Sequence, residues 1–176
     1  WGGKGLNIIP ILPFGKVKAS TTTFSWSKPA GINTYQLVIS NDGNIIHSVS
    51  TRDTFVQINL KSLNLSIDKK YQWKVTTTGD SPINSNELEF AIGSEKDRIA
   101  ALSNLNTSKL AKSSKNSALK GLIEAIALEK ENWFYDAQQT YARTQKKHAN
   151  SMVDIMYAAF WKRYGFNRLA LKAARG

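Results

Sequence analysis

The hydrophobic and polar positions of this chain follow two different periods, and the change comes near residue 93. Between residues 21 and 92 apolar and polar side chains alternate, and turn residues recur roughly every ten positions. Such alternation is typical of half-buried β-strands. Beyond residue 93 apolar residues recur every three or four positions, which predicts amphipathic helices. The pattern therefore predicts a multidomain protein, all-β over residues 1–93 and all-α over residues 94–176.

Six strands are predicted in the first region, and an early segment adds a seventh at its edge. The six strands cover residues 23–26, 34–39, 45–49, 55–60, 71–75 and 88–92. The early segment, residues 8–12, contains Pro10, which an edge strand tolerates because it needs no ladder donor there. Asp42-Gly43 between two alternating segments predicts a tight hairpin. Six or seven short strands in about 90 residues predict an antiparallel β-sandwich.

Core aromatic positions in this region resemble those of fibronectin type III and related immunoglobulin-like sandwich domains, over residues 18–93. The resemblance rests on Ser25-Trp26-Ser27-Lys28-Pro29, on Tyr35, and on Leu65, Tyr71, Trp73 and Val75. It implies that Tyr71 is a corner tyrosine, with a buried ring and a hydroxyl bonded to the preceding connection. Integrin-binding members display Arg-Gly-Asp, but here Thr78 precedes Gly79-Asp80. The resemblance thus implies a stable fold without that recognition motif.

The second region predicts a bundle of four to five helices. Ser94 followed by Asp97 favours a helix start, and Asn150 is a predicted cap of a later helix. Gly165 should end that helix, and a short fifth helix should follow. Residues 106–116 are rich in Ser and Lys, which predicts a frayed helix end and a loop.

Within the bundle, residues 117–164 resemble a tetratricopeptide helical hairpin. The run that carries the resemblance is Asn132-Trp133-Phe134-Tyr135-Asp136-Ala137, with Tyr141 four residues later. Thr144 and Ala149 stand where a small Ala and a closing Pro are usual. Only about two repeats fit, and stacked arrays need about three or more. The resemblance therefore implies that the helices lean on the sandwich, on a partner or on a second copy.

Basic residues dominate the charge of the chain. Lys and Arg number 24 against 13 Asp and Glu, a net charge of +11, and residues 94–176 carry +8 of it. This surface favours an anionic membrane, nucleic acid or an acidic protein as partner. The predicted anion-binding residues are Lys162, Arg163, Arg168, Lys172 and Arg175.

Candidate catalytic and metal-binding groups are scarce. The chain has no cysteine and two histidines, which excludes disulfides, cysteine nucleophiles, thiolate zinc sites and His-rich metal sites. We interpret His47 on a predicted strand and His148 at a helix end as structural, and Glu87 and Glu89 as one solvent-exposed strand face. We expect no catalytic, cofactor-binding or metal-binding residue, no small-molecule substrate and no enzyme activity.

These observations favour a non-enzymatic protein-binding or scaffolding module. The candidate partner contacts are Trp133, Tyr135, Tyr157 and Trp161, because aromatic residues dominate binding hot spots. Three alternatives stay open. They are binding of anionic surfaces, nucleic acid or phospholipid, through the basic C-terminal helices; glycan binding by exposed Trp or Tyr of the sandwich; and a homodimer.

The expected location is extracytoplasmic. The sandwich lacks cysteine and is rich in Asn, Thr and Ser, and the chain begins without methionine. We interpret this as the soluble part of a periplasmic, cell-envelope or secreted bacterial protein, in which an N-terminal leader or membrane anchor has been removed.

Overall fold

The structure is a computed structural model that describes residues 7–79, 81–106, 117–148 and 150–176. The chain forms two compact units, Trp1–Ser94 and Glu95–Gly176. Strands occur in the first unit and α-helices in the second. Most of the predicted loop over 106–116 lies outside the described residues, as do Asp80 and Ala149.

The first unit is a β-sandwich, with eight strands in its described part. They are β1 Pro10–Leu12, β2 Gly15–Val17, β3 Thr21–Trp26, β4 Tyr35–Asn41, β5 Asn44–Thr51, β6 Phe55–Asn59, β7 Lys70–Thr77 and β8 Leu88–Ile92. One sheet has the order β1-β3-β6 and the other the order β2-β8-β7-β4-β5. A short 3₁₀ helix, Leu60–Leu63, follows β6.

The predicted edge strand and hairpin are confirmed. β1 lies at the edge of its sheet, and β4 and β5 are joined through Asp42 and Gly43, whose φ angles are 49° and 80°. Positive φ at both positions matches the twist of a two-residue hairpin. Glycine adopts a positive φ without steric cost. The sandwich is not purely antiparallel, however, because β2 pairs in parallel with β8, placing Gly15 opposite Phe90.

Alternating side chains from the two sheets meet in one core. Phe24 of the three-stranded sheet meets Trp73 and Phe90 of the other sheet edge to face, with ring centroids 5.2 and 5.7 Å apart. The buried indole Nε1 of Trp73 donates a hydrogen bond to the Pro13 carbonyl at 2.8 Å. The core therefore holds the sheets together and ties the connection after β1 to β7.

Tyr71 occupies the predicted corner position. Its ring is buried, and the backbone N–H of Ser66 donates to its hydroxyl at 2.8 Å. The prediction that this hydroxyl bonds to the preceding connection is confirmed. One buried aromatic residue thereby fixes the loop that enters β7.

The second unit has five α-helices among its described residues. They are α1 Glu95–Asn106, α2 Ser117–Lys130, α3 Phe134–Lys147, α4 Ser151–Arg163 and α5 Asn167–Ala173. Asn150 caps α4 as predicted, since its side chain accepts from the Val153 N–H at 3.1 Å. Gly165, at φ 82°, follows α4 in the left-handed conformation.

α3 begins at Phe134, three residues after Glu131. Asn132 adopts a left-handed conformation, with φ 64°, and this breaks the helical path between α2 and α3. None of the helices in the described part of the chain has the length and apolar character needed to cross a bilayer.

Candidate functional site

The Glu129 carboxylate forms hydrogen bonds with residues of other helical segments. Its side chain is only 11% exposed. Arg163 donates from Nε to Oε1 at 2.8 Å and from Nη2 to Oε2 at 2.7 Å. Tyr141 donates its hydroxyl to Oε2 at 3.1 Å, and Tyr164 donates to Oε1 at 3.2 Å. We call these four residues the carboxylate cluster. Because they come from α2, α3 and the end of α4, the cluster fixes the point from which α5 departs.

The electrostatics of the carboxylate cluster keep its tyrosines protonated. Burial, and after it the charge and hydrogen bond of Glu129, raises the pKa of Tyr164 to about 12. Burial is also the main cause of the raised pKa of Tyr141, with Glu129 second. The hydrogen bonds to Glu129 raise the pKa of Arg163. At neutral pH both hydroxyls therefore act as donors to a carboxylate, which is a structural arrangement.

Raising the pH above 10 should weaken the helical unit. Folding raises the pKa of Tyr164 from its ordinary value of 10.0 to about 12. The stability linked to such a raised pKa is complete below pH 10 and is lost as the pH rises through 12. Denaturant titrations followed by far-ultraviolet circular dichroism should show this fall. The fall should be smaller in Tyr164→Phe, and an identical fall in both proteins would contradict the assignment.

Three of the four predicted partner-contacting aromatics are buried. The exposed fractions of Trp133, Tyr157 and Trp161 are 0%, 8% and 4%. Gln138 donates to the Tyr157 hydroxyl at 2.6 Å, and the Trp161 ring packs against Phe160 and other rings of the unit. Tyr157 and Trp161 are on the inward face of α4, and Trp133 is buried in the connection before α3. None of the three can reach a partner while the fold is intact. Tyr135 is half-buried and stays a candidate.

The predicted anion-binding residues fall into two groups. Arg163 is held by Glu129 in the carboxylate cluster. The side chains of Lys162, Arg168, Lys172 and Arg175 are exposed. Across the described ranges these four form no ion pair. They are therefore the cations that can face a ligand.

Neither histidine lies in a triad of the described residues. His148 Nε2 is 2.9 Å from the Ser117 hydroxyl, a contact that joins the end of α3 to the start of α2. No carboxylate among the residues with assigned positions orients the other ring nitrogen, as a nucleophile-activating base requires. No group of three or more His, Asp or Glu side chains in those residues could hold a metal ion.

The paired acids of β8 and its preceding loop are solvent-exposed. Glu87 pairs with Lys74 at 3.0 Å and Glu89 with Lys70 at 2.9 Å. All four side chains are at least two-fifths exposed. Such exposed pairs contribute little to stability.

Glycan stacking on the sandwich is contradicted for the residues that the structure describes. Trp26, Tyr35, Tyr71 and Trp73 are all buried in the core. A sugar ring stacks on an exposed aromatic face, which none of these four residues offers.

The β5 edge is an open edge of the five-stranded sheet. β5 is the terminal strand of its sheet, is eight residues long, and contains neither a charged residue nor a proline. Ile45 is 68% exposed and Ile46 is 37% exposed. Natural proteins usually protect such edges with lysine, proline or a covering segment, because free backbone groups recruit further strands. In the described residues one bulge, near Ile45, is the visible protection.

Comparisons with known proteins give only distant likenesses. No protein-family model matches the chain and no curated protein matches it. Among solved structures, FN3tt is 18% identical over 49% of this chain and 95% of its own, with a TM-score of 0.37. A fibronectin(III)-like module of Clostridium thermocellum CbhA is 12% identical over 49% and 93%, with a TM-score of 0.32.

One further solved structure covers more of this chain. A beta-1,2-glucanase from Parabacteroides distasonis is 13% identical over 81% of this chain and 24% of its own, with a TM-score of 0.36. At these TM-scores the likenesses carry no inference about function. The assignment of the first unit as a β-sandwich rests on its strand order and core.

Proposed function

We propose that this chain is a non-enzymatic interaction module that binds another protein by strand addition at the β5 edge. The observation that carries the proposal is the open β5 strand with its two exposed isoleucines. In strand addition, backbone hydrogen bonds give affinity and alternate side chains give specificity. Because β5 is uncharged, the matching partner is an extended segment with apolar residues at alternate positions.

The proposal places the sandwich with the fibronectin type III-like domains and the helices with tetratricopeptide-like hairpins. The strand order and the Tyr71 corner support the first assignment. The close packing of α2 on α3 at Gly121 supports the second, because small residues let paired helices approach. We further propose an extracytoplasmic location, in which the module serves a larger envelope assembly.

The test introduces a charge into the β5 edge and measures whether the chain still retains a partner protein. The tagged full chain is incubated with envelope and soluble fractions of the source cell and washed at low and high salt. We expect one protein to resist high salt on the wild-type chain. Ile45→Lys should lose that protein, since a lysine on an edge strand opposes the addition of another strand.

The matched control is Ile67→Lys, because Ile67 is 58% exposed and lies outside β5. Retention by the control and loss by Ile45→Lys supports the β5 surface. Equal retention by both variants would show that another surface binds. A dimer of the purified chain that Ile45→Lys dissociates would identify a second copy as the occupant. Turnover of a substrate that depends on His47 or His148 would contradict the non-enzymatic assignment.

A further inference from the structure

α5 and the turn after it carry a row of exposed cations. Arg168 and Lys172, four residues apart, share a face of α5, and Arg175 follows two residues after the helix ends. The opposite face carries Ala170 and Ala173, which are buried. The cations therefore point away from the helical unit, and Lys162 at the end of α4 adds a fourth exposed charge.

Exposed alkyl side chains occur on the same two helices as these cations. Leu171, which lies beside Arg168 at about 60° around the helix, is 62% exposed. On α4, Met152 and Ile155 are 43% and 63% exposed. Cations interleaved with exposed alkyl groups are typical of helices that lie at the surface of a bilayer.

A side chain of α3 holds α4 and α5 together. Gln145 of α3 donates to Asp154 of α4 and to the Ala173 carbonyl of α5, both at 2.7 Å. One side chain therefore ties the start of α4 to the end of α5. The cationic face thus comes already ordered, and binding costs little conformational entropy there.

The positions of the aromatic side chains argue against nucleic acid as the ligand of this cationic surface. Single strands bind to aromatic side chains on which bases stack. Here Trp161 is buried, the Tyr164 hydroxyl is bonded to Glu129, and the Phe166 ring packs on Trp161 at 5.5 Å. Phosphates alone would leave Leu171 in water, whereas a bilayer supplies both anionic headgroups and hydrocarbon.

We propose that the outer face of α5, with Lys162 and the exposed alkyl groups of α4, binds the surface of an anionic phospholipid bilayer. The cations contact headgroup phosphates, and Leu171 enters the boundary between headgroups and acyl chains. This peripheral contact is independent of strand addition at β5. It places the module beside a membrane while the β5 edge faces a protein partner.

The experiment measures flotation of the full chain with vesicles of phosphatidylcholine alone and of phosphatidylcholine mixed with phosphatidylglycerol. We expect binding to the mixed vesicles at low salt and little to the neutral ones. Each cation near an anionic surface strengthens binding roughly fivefold. Arg168→Gln/Lys172→Gln should therefore bind about 25-fold more weakly. The matched control, Lys61→Gln/Lys69→Gln, changes two exposed lysines of the sandwich and should bind like wild type.

A third variant separates lipid from other anions. Leu171→Ser removes the alkyl group and keeps every charge, so its vesicle binding should fall several-fold while binding to a DNA duplex stays unchanged. Unchanged vesicle binding by Leu171→Ser or by Arg168→Gln/Lys172→Gln would overturn the proposal. Equal losses in both double variants would also overturn it, because the effect would then follow net charge and not the α5 face.

Discussion

Replacing Glu129 with alanine should lower the free energy of unfolding of the helical unit by about 3 kcal/mol. The change removes an acceptor that receives four hydrogen bonds from Arg163, Tyr141 and Tyr164. Tyr141 is fully buried, so its hydroxyl cannot turn to water and loses its partner outright. Arg163 is 46% exposed, so water can solvate its guanidinium after the change. The expected loss of stability is therefore at the lower end of the range for breaking a buried ion pair.

The matched control for this prediction is Glu124→Ala on the same helix. Glu124 accepts one hydrogen bond, from Arg143 at 3.3 Å, and both side chains are at least one-third exposed. Exposed pairs of this kind are worth less than about 1 kcal/mol. Denaturant unfolding followed by circular dichroism measures both variants. Equal losses would mean that Glu129 acts as an ordinary surface charge.

The carboxylate cluster also shows where sequence patterns stop being informative. Glu129-Lys130-Glu131 looks like a solvated charge run, and Arg163 follows Glu129 by 34 residues. Whether Glu129 contacts Arg163 depends on the angles at which three helices pack. The spacing of apolar residues along the sequence does not contain that information. Tyr141 and Tyr164 were the available signal, since a buried tyrosine hydroxyl usually has a hydrogen-bond partner, but the sequence does not name the shared acceptor.

The burial of three of the four aromatic candidates was not predicted, for a related reason. The buried face of α4 includes Tyr157, Phe160 and Trp161, whose spacings of three and four residues place them on one helical stripe. Such a stripe can pack on other helices of the same chain or on a partner, and the spacing does not distinguish the two. The sequence shows that these residues are aromatic but cannot show how many neighbours surround them.

Strands were easier to predict because burial repeats within each of them. β4 and β7 bury every second residue, and that alternation is visible in the sequence without knowledge of the partner strand. β2 was missed because three residues, Gly15 to Val17, are too few to show a period. Its parallel pairing with β8 depends on a segment more than 70 residues later.

Replacing Gly121 with alanine should destabilise the helical unit by roughly 2–3 kcal/mol. Helix propensity alone predicts a gain of up to about 1 kcal/mol for this change. A β-carbon at position 121 would, however, collide with the hydroxyl of Thr144 and come within 2.9 Å of its methyl group. Thr144 cannot easily turn away, because it is buried and its hydroxyl donates to the Thr140 carbonyl at 2.7 Å.

A double-mutant cycle isolates this contact. Thr144→Ala removes the two atoms that obstruct most, although its own β-carbon stays 3.1 Å from the new methyl group. Gly121→Ala should therefore cost distinctly less in the Thr144→Ala background, with a coupling energy of about 1 kcal/mol or more. Chemical denaturation of the four proteins gives that energy. Additive losses would mean that the strain of Gly121→Ala does not come from Thr144. Coupling would show that the close packing of α2 on α3 requires a residue without a side chain at position 121.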